Sequence, residues 1–130
     1  MNFKFKKENP DVQKRKQESN KVREKYGDRI PVIIEKDPNS RLKDLDKTKF
    51  LVPNDITAQV LIFIIRKRLE LSQEETLFML VDGKSSISGE TGMNEIYEKY
   101  QDKEDGYLYI TYTSQLAWGN NTDKEDLVLN

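Results

Sequence analysis

Between Lys47 and Thr57 the chain reads Lys-Thr-Lys-Phe-Leu-Val-Pro-Asn-Asp-Ile-Thr, a strand-forming run with large apolar residues on both of its faces. Side chains alternate along a strand, so Lys47, Lys49 and Leu51 point one way and Phe50 and Val52 the other. No single covered face can hide them all. Pro53 closes the strand by removing a ladder donor, and Asn54 or Asp55 is placed to cap a following helix. A sheet edge with apolar groups on both sides and flanking lysines suits an incoming extended peptide. A purely structural role, with Leu51, Val52 and Ile64 all in the core, conflicts with alternation, because Phe50 and Leu51 cannot both point inward.

The surrounding segments read as an ordered set of elements. Asp11 to Tyr26 is almost entirely polar apart from Val12 and Val22, so a helix there is held by docking onto something else. Asn9-Pro10 separates it from a short first helical turn carrying Phe3 and Phe5. Pro31 to Lys36 is β-branched and apolar, Asp37-Pro38-Asn39-Ser40 supplies turn chemistry, and Leu42 to Val52 can return as a second strand. Asp55 to Leu69 has helical spacing with apolar residues on several sides, which predicts a largely covered helix ending in Arg66-Lys67-Arg68. Ser72-Gln73-Glu74-Glu75 has the capping-box pattern of a short turn. Leu77 to Val81 reads as a buried strand closed by Asp82-Gly83. Met93, Ile96, Tyr97 and Tyr100 mark a second core helix near Thr91 to Tyr100, and Tyr107 to Tyr112 alternates as a last strand.

Composition removes several function classes. The chain has 130 residues and neither histidine nor cysteine, so a Ser-His-Asp triad, a Cys-His pair and the usual zinc ligand sets are excluded. Carboxylate pairs such as Glu74-Glu75 and Asp44-Asp46 read as solvated surface, and the six glycines never approach a phosphate-loop spacing. No enzymatic role and no cofactor or metal is expected. Lys14-Arg15-Lys16 and Arg66-Lys67-Arg68 are basic clusters, but intervening acids break any continuous phosphate track, so no nucleic acid is expected. The apolar run Val60 to Ile65 is far too short to span a bilayer. A cytoplasmic location fits a chain without disulfides or a signal peptide. Charge is unevenly spread: residues 1–31 carry ten Lys or Arg against five Asp or Glu, whereas residues 120–130 carry one against three.

The Lys47 to Thr57 run, with Asp44-Leu45-Asp46 before it and Ile65-Arg66-Lys67-Arg68 after it, resembles the autophagy ubiquitin-like modifiers, the family of GABA-receptor-associated protein and microtubule-associated light chain three. The resemblance extends from about Phe3 to Gly119 and includes Tyr26, Asp28 to Lys36 and Tyr107-Leu108-Tyr109. It implies an α+β, ubiquitin-like β-grasp fold with two additional N-terminal helices. The N-terminal helical extension would cover residues 1–28, the ubiquitin-like domain 29–113, and a C-terminal tail 114–130.

The resemblance also implies two hydrophobic pockets beside the second strand. The first is expected from Glu18, Val22, Pro31, Lys49, Leu51 and Tyr107. The second is expected from Phe50, Val52, Pro53, Ile56, Leu61 and Ile64. In the family such pockets accept Trp/Phe/Tyr-x-x-Leu/Ile/Val motifs on cargo receptors and autophagy factors, with Arg29, Lys47, Lys49 and Arg68 attracting acidic flanks. The two motif side chains, three residues apart, are expected to leave the same side of a slightly twisted peptide. Phe50 and Tyr107 stand where the family more often has Tyr and Phe, Leu61 replaces a frequent Phe, and the segment Asp82 to Thr91 lacks the usual Pro-Pro loop.

Trp118-Gly119 matches the family's aromatic-glycine ending of the mature form, with Trp less usual there than Phe. The implied chemistry is cleavage after Gly119 by a cysteine protease, transfer through activating and conjugating enzymes, and amide formation with phosphatidylethanolamine, giving an autophagosomal membrane pool. The alternative is an unconjugated ubiquitin-like adaptor that uses the same pockets and keeps its tail.

Overall fold

The computed structural model describes residues 3–83 and 85–115. Trp118, Gly119 and nearly all of the 114–130 tail lie outside the described residues. The elements in chain order are α1 (Lys4–Glu8), α2 (Val12–Lys25), β1 (Arg29–Lys36), β2 (Lys49–Pro53), α3 (Ala58–Arg68), β3 (Phe78–Val81), β4 (Ser85–Ser86), α4 (Met93–Tyr100) and β5 (Leu108–Thr113). The strands form one mixed sheet in the order β2-β1-β5-β3-β4. The central β1–β5 pair is parallel and the other pairs are antiparallel. This is the α+β ubiquitin-like arrangement, with α1 and α2 placed ahead of it.

A sheet with both faces covered needs apolar residues pointing both ways, and β1 supplies them. Ile30, Val32 and Ile34 belong to the main core with Leu61, Ile65, Met93 and Ile96, whereas Ile33 joins Phe3, Phe5 and Tyr107 in a smaller core on the opposite face. The smaller core is aromatic: Phe3 packs edge-on to Tyr109 at 4.9 Å and Phe5 to Tyr107 at 5.2 Å. These contacts explain how a first helical turn of five residues stays in place.

Several expectations shift. The second strand is shorter than Leu42 to Val52. Residues 41–48 run as loop, since Lys and Asp are poor strand formers, and the loop is tethered by Leu42 in the core and by the Tyr112 hydroxyl donating to Lys43 O at 2.7 Å. Neither Asn54 nor Asp55 caps α3. Its N-cap is Thr57, whose side chain makes no cap bond, and the free amides of the first turn donate to a distant loop, Ala58 N–H to Thr91 O at 2.8 Å and Gln59 N–H to Gly89 O at 2.9 Å. Ser72 N–H does donate to Glu75 Oε1 at 2.9 Å. Hydrogen bonds with Ser72 hold the Glu75 carboxyl below its ordinary pKa, and residues 73–75 form the expected short turn. Strand β4, two serines at the sheet edge, carries no strand signal in sequence.

The expectation of a covered α3 is overturned. Leu61 and Ile65 are buried, but Val60, Phe63 and Ile64 are 42%, 56% and 39% exposed. A helix lying across a sheet buries one stripe, and the apolar residues on its other side stay in solvent because nothing in the described residues packs over them.

Candidate functional site

The hydrogen-bond pattern of β2 determines what its edge can offer. Ile34 N–H donates to Thr48 O and Asn54 N–H to Asp28 O, both at 2.9 Å. In an antiparallel ladder bonded pairs alternate with non-bonded ones, so Val32/Phe50 and Ile30/Val52 are bonded, and Ile33/Lys49, Pro31/Leu51 and Arg29/Pro53 are not. The N–H and C=O of Lys49 and Leu51 therefore point away from β1. Because β2 is the outermost strand, these groups face an open edge. Pro53, the next outward position, has no N–H and ends the edge there.

The same alternation divides the side chains. Leu51 is 39% exposed and shares a face with its partner Pro31, whereas Phe50 and Val52 are buried on the opposite face. The two expected pockets thus lie on opposite faces of one edge strand. This corrects the expectation for the peptide, because residues three apart in an extended chain also leave opposite faces. An aromatic-x-x-aliphatic segment laid along this edge would therefore put one of those side chains on each face.

On the α1/α2 face the first-pocket residues converge. The Tyr107 hydroxyl donates to Glu18 Oε1 at 3.3 Å, and Lys49 Nζ lies 3.7 Å from the same oxygen and 5.7 Å above the Phe5 ring. Val22 follows Glu18 by four residues on the same side of α2 and is half-buried, while Pro31 is buried. Tyr107 itself has no exposed surface. It lies beneath the Glu18–Lys49 contact and lends no surface of its own, and burial followed by the Glu18 charge raises its pKa.

On the α3 face Phe50, Val52 and Leu61 are core, Ile64 is exposed and Ile56 is half-buried, whereas Pro53, expected with them, is half-buried and falls by alternation on the Leu51 face. Lys47 Nζ sits 4.8 Å and the Arg68 guanidinium 5.4 Å from the Phe50 ring. Arg68 also reaches Asp46 at 3.4 Å, and Arg29 Nη1 donates to the outward Leu51 O at 3.4 Å. The four expected charge contacts therefore ring the edge. A separate concavity of about 540 Å³ lies between α1 and α2 and includes Asn9, Asp11, Lys14, Glu18 and Lys21. Its polar lining suits water and charge more than an aromatic side chain.

One functional element gave no sequence signal. Asp105 is fully buried and ties the polar helix α2 to the domain. Its Oδ2 accepts from Arg15 Nε at 2.8 Å and from the Tyr109 hydroxyl at 2.6 Å, and its Oδ1 accepts from Tyr107 N–H at 2.9 Å. The Ser19 hydroxyl donates to the Asp105 carbonyl. Gly106, at φ +79°, is where the turn passes Ser19, and a Cβ there would stand 3.0 Å from the Ser19 hydroxyl oxygen. Arg15 is 4% exposed; burial lowers its pKa, but the Asp105 hydrogen bond and nearby negative charge reverse this and raise it overall. The Lys14-Arg15-Lys16 cluster is thus partly an internal strut, which counts against a phosphate-binding role.

Two tyrosines, Tyr109 against this strut and Tyr112 in the main core, have raised pKa values. Burial first, then the Asp105 hydrogen bond, raises the Tyr109 pKa, and burial carries Tyr112 up to about 12. Groups whose folded pKa is raised stabilise the fold fully below the unfolded value, near 10 for tyrosine, and lose that contribution as pH rises through the folded values. With no histidine in the chain, no side chain has an ordinary pKa between pH 5 and 8. Unfolding free energies from urea titrations are therefore expected to stay flat from pH 6 to 9 and to fall above pH 10 by roughly 1.4 kcal/mol per pH unit for each such tyrosine. A midpoint unchanged between pH 9 and 11 would contradict the burial of these hydroxyls.

Comparison with known proteins gives a consistent result. A family model described as autophagy protein Atg8, ubiquitin-like, matches residues 14–119. Autophagy-related protein 8e of Arabidopsis thaliana is 47% identical over 115 residues, covering 88% of this chain and 92% of that protein. Autophagy-related protein 8 of Coccidioides immitis is 45% identical over 120 residues, covering 92% and 100%. The crystal structure of Trypanosoma brucei ATG8 superposes with a TM-score of 0.82 at 36% identity, covering 92% of this chain and all of that one. The matched residues 14–119 span the positions of the β2 edge and of Arg15 and Asp105, and the chain belongs to the Atg8 family of autophagy-related ubiquitin-like proteins.

Proposed function

We infer that this protein is a conjugated docking platform of autophagy. It takes up short acidic-flanked aromatic-x-x-aliphatic segments of cargo receptors and autophagy factors at the β2 edge. After cleavage behind Gly119 it is carried by activating and conjugating enzymes onto phosphatidylethanolamine, which moves it from the cytoplasm to the autophagosomal membrane. The observation that supports the docking part is the open edge itself: outward N–H and C=O groups on Lys49 and Leu51, exposed Leu51 on one face and exposed Ile64 on the other. An added strand gains main-chain bonds, and the two apolar sites select side chains of opposite orientation.

Two buried motif side chains contribute about 1.5–3 kcal/mol each, and the main-chain bonds and charge complementarity of the edge must offset an association cost of several kcal/mol, so binding no tighter than about the micromolar range is expected. Leu51→Ala is the informative substitution, because Leu51 is exposed whereas Tyr107 and Phe50 are core and their truncation would disturb folding. Its affinity for an acidic-flanked Trp-x-x-Leu peptide, read by fluorescence anisotropy, is expected to fall about tenfold, equivalent to about 1.4 kcal/mol, with the melting temperature unchanged. Equal titration curves for parent and Leu51→Ala would remove the β2 edge as the docking site.

A further inference from the structure

The same edge is complementary to a segment of this chain itself. On its α3 side Ile64 is exposed, and Lys47 and Arg68 lie over Phe50. Toward the carboxyl end the sequence places Asp123, Glu125 and Asp126 against a single Lys124, followed directly by Leu127-Val128-Leu129. An acidic run leading into three aliphatic residues has the composition that a basic, apolar sheet edge accepts. In an extended strand Leu127 and Leu129 leave one face and Val128 the other, which suits an edge with apolar groups on both faces.

We propose that Asp123 to Leu129 docks in cis on the β2 edge and the exposed face of α3, occupying the peptide site for as long as the segment remains attached. The proposal rests on the docking reading of that edge. Reach is sufficient. Thr113 follows Tyr112, which is level with Lys36, and Lys49 is level with Ile33. The end of β5 and the start of β2 are therefore two strand spacings apart sideways and about four residues apart lengthwise, roughly 16 Å in all. The residues between Gln115 and Leu127 can span up to about 40 Å. Tethering over this range gives an effective concentration of about millimolar, so a contact too weak to form between separate chains is populated within one. The aliphatic triplet lies beyond Gly119, so a cut after Gly119 releases it and opens the edge.

The test uses the full chain and the full-chain variant Leu127→Ser/Val128→Ser/Leu129→Ser, whose changes lie beyond the last strand. Amide spectra are recorded without peptide at two concentrations tenfold apart, and both proteins are titrated with an acidic-flanked Trp-x-x-Leu peptide. Support is a difference between the two spectra at Lys49, Leu51 and Ile64 that does not change with concentration, with the variant binding the peptide about three- to tenfold tighter. Coincident spectra at those residues overturn the proposal. Differences that grow with concentration also overturn it, since they assign the contact to a second copy. Concentration-independent differences at those residues with no peptide binding by either protein support the cis contact and refute the docking reading instead.

Discussion

Asp105→Ala is expected to lower folding stability by about 3–5 kcal/mol, because it leaves the Arg15 guanidinium buried and unpaired. Asp105 accepts from Arg15, Tyr109 and the Tyr107 backbone at once, so the substitution strands three donors together. Arg15, at 4% exposure, has no ready route to water. The loss should concentrate on α2, whose fourteen residues carry little apolar surface of their own and depend on this anchor. Urea unfolding gives the total cost, and amide hydrogen exchange should show α2 losing protection before the sheet does. Because Glu18 and Val22 stand on that helix, the same variant should bind a docking peptide more weakly although it touches none of it. A midpoint shift worth less than about 1 kcal/mol would mean that Asp105 is not the anchor of α2.

Gly119→Ala is expected to abolish membrane recovery while leaving folding and peptide affinity at parental values. Gly119 stands after the last strand and outside the described residues, so the substitution touches no described core contact. Glycine reaches dihedrals and narrow channels closed to residues with a Cβ, the property that the proposed cleavage and acyl transfer would require. Among the described residues no helix is long and apolar enough to cross a membrane. Two acyl chains anchor a protein stably, at about 0.8 kcal/mol per buried methylene. Intact mass should show the parent cut after Gly119 and carrying lipid, and the variant still holding residues 120–130. Recovery of uncut Gly119→Ala on autophagic membranes at the parental level would refute conjugation and favour an adaptor that keeps its tail.

The periodic features were legible in the sequence. The alternation at Lys49 to Val52 shows in exposed Lys49 and Leu51 beside buried Phe50 and Val52, and the Met93, Ile96, Tyr97 and Tyr100 spacing marks the core face of α4. Asp11, which the sequence reading did not single out, caps α2 by accepting from the Gln13 and Lys14 amides, a contact made within one turn of the chain. Such features are local, so the chemistry of a few neighbouring residues decides them.

What only the tertiary structure decided involves partners far apart in the chain. Thr91 and Gly89 cap α3, some thirty residues away, and Arg15 meets Asp105 across 90 positions. Nothing in Gln101-Asp102-Lys103-Glu104-Asp105 separates the fully buried carboxylate from half-buried Asp102 or exposed Glu104. The exposure of Phe63 and the burial of Tyr107 follow likewise from what packs over each. α3 has a sheet beneath it and no described element above it, whereas Tyr107 is covered by the aromatic turn of α1. Local residue order sets which way a side chain points relative to its own backbone; whether that direction leads to core or to water depends on strand order and on which element lies across the sheet.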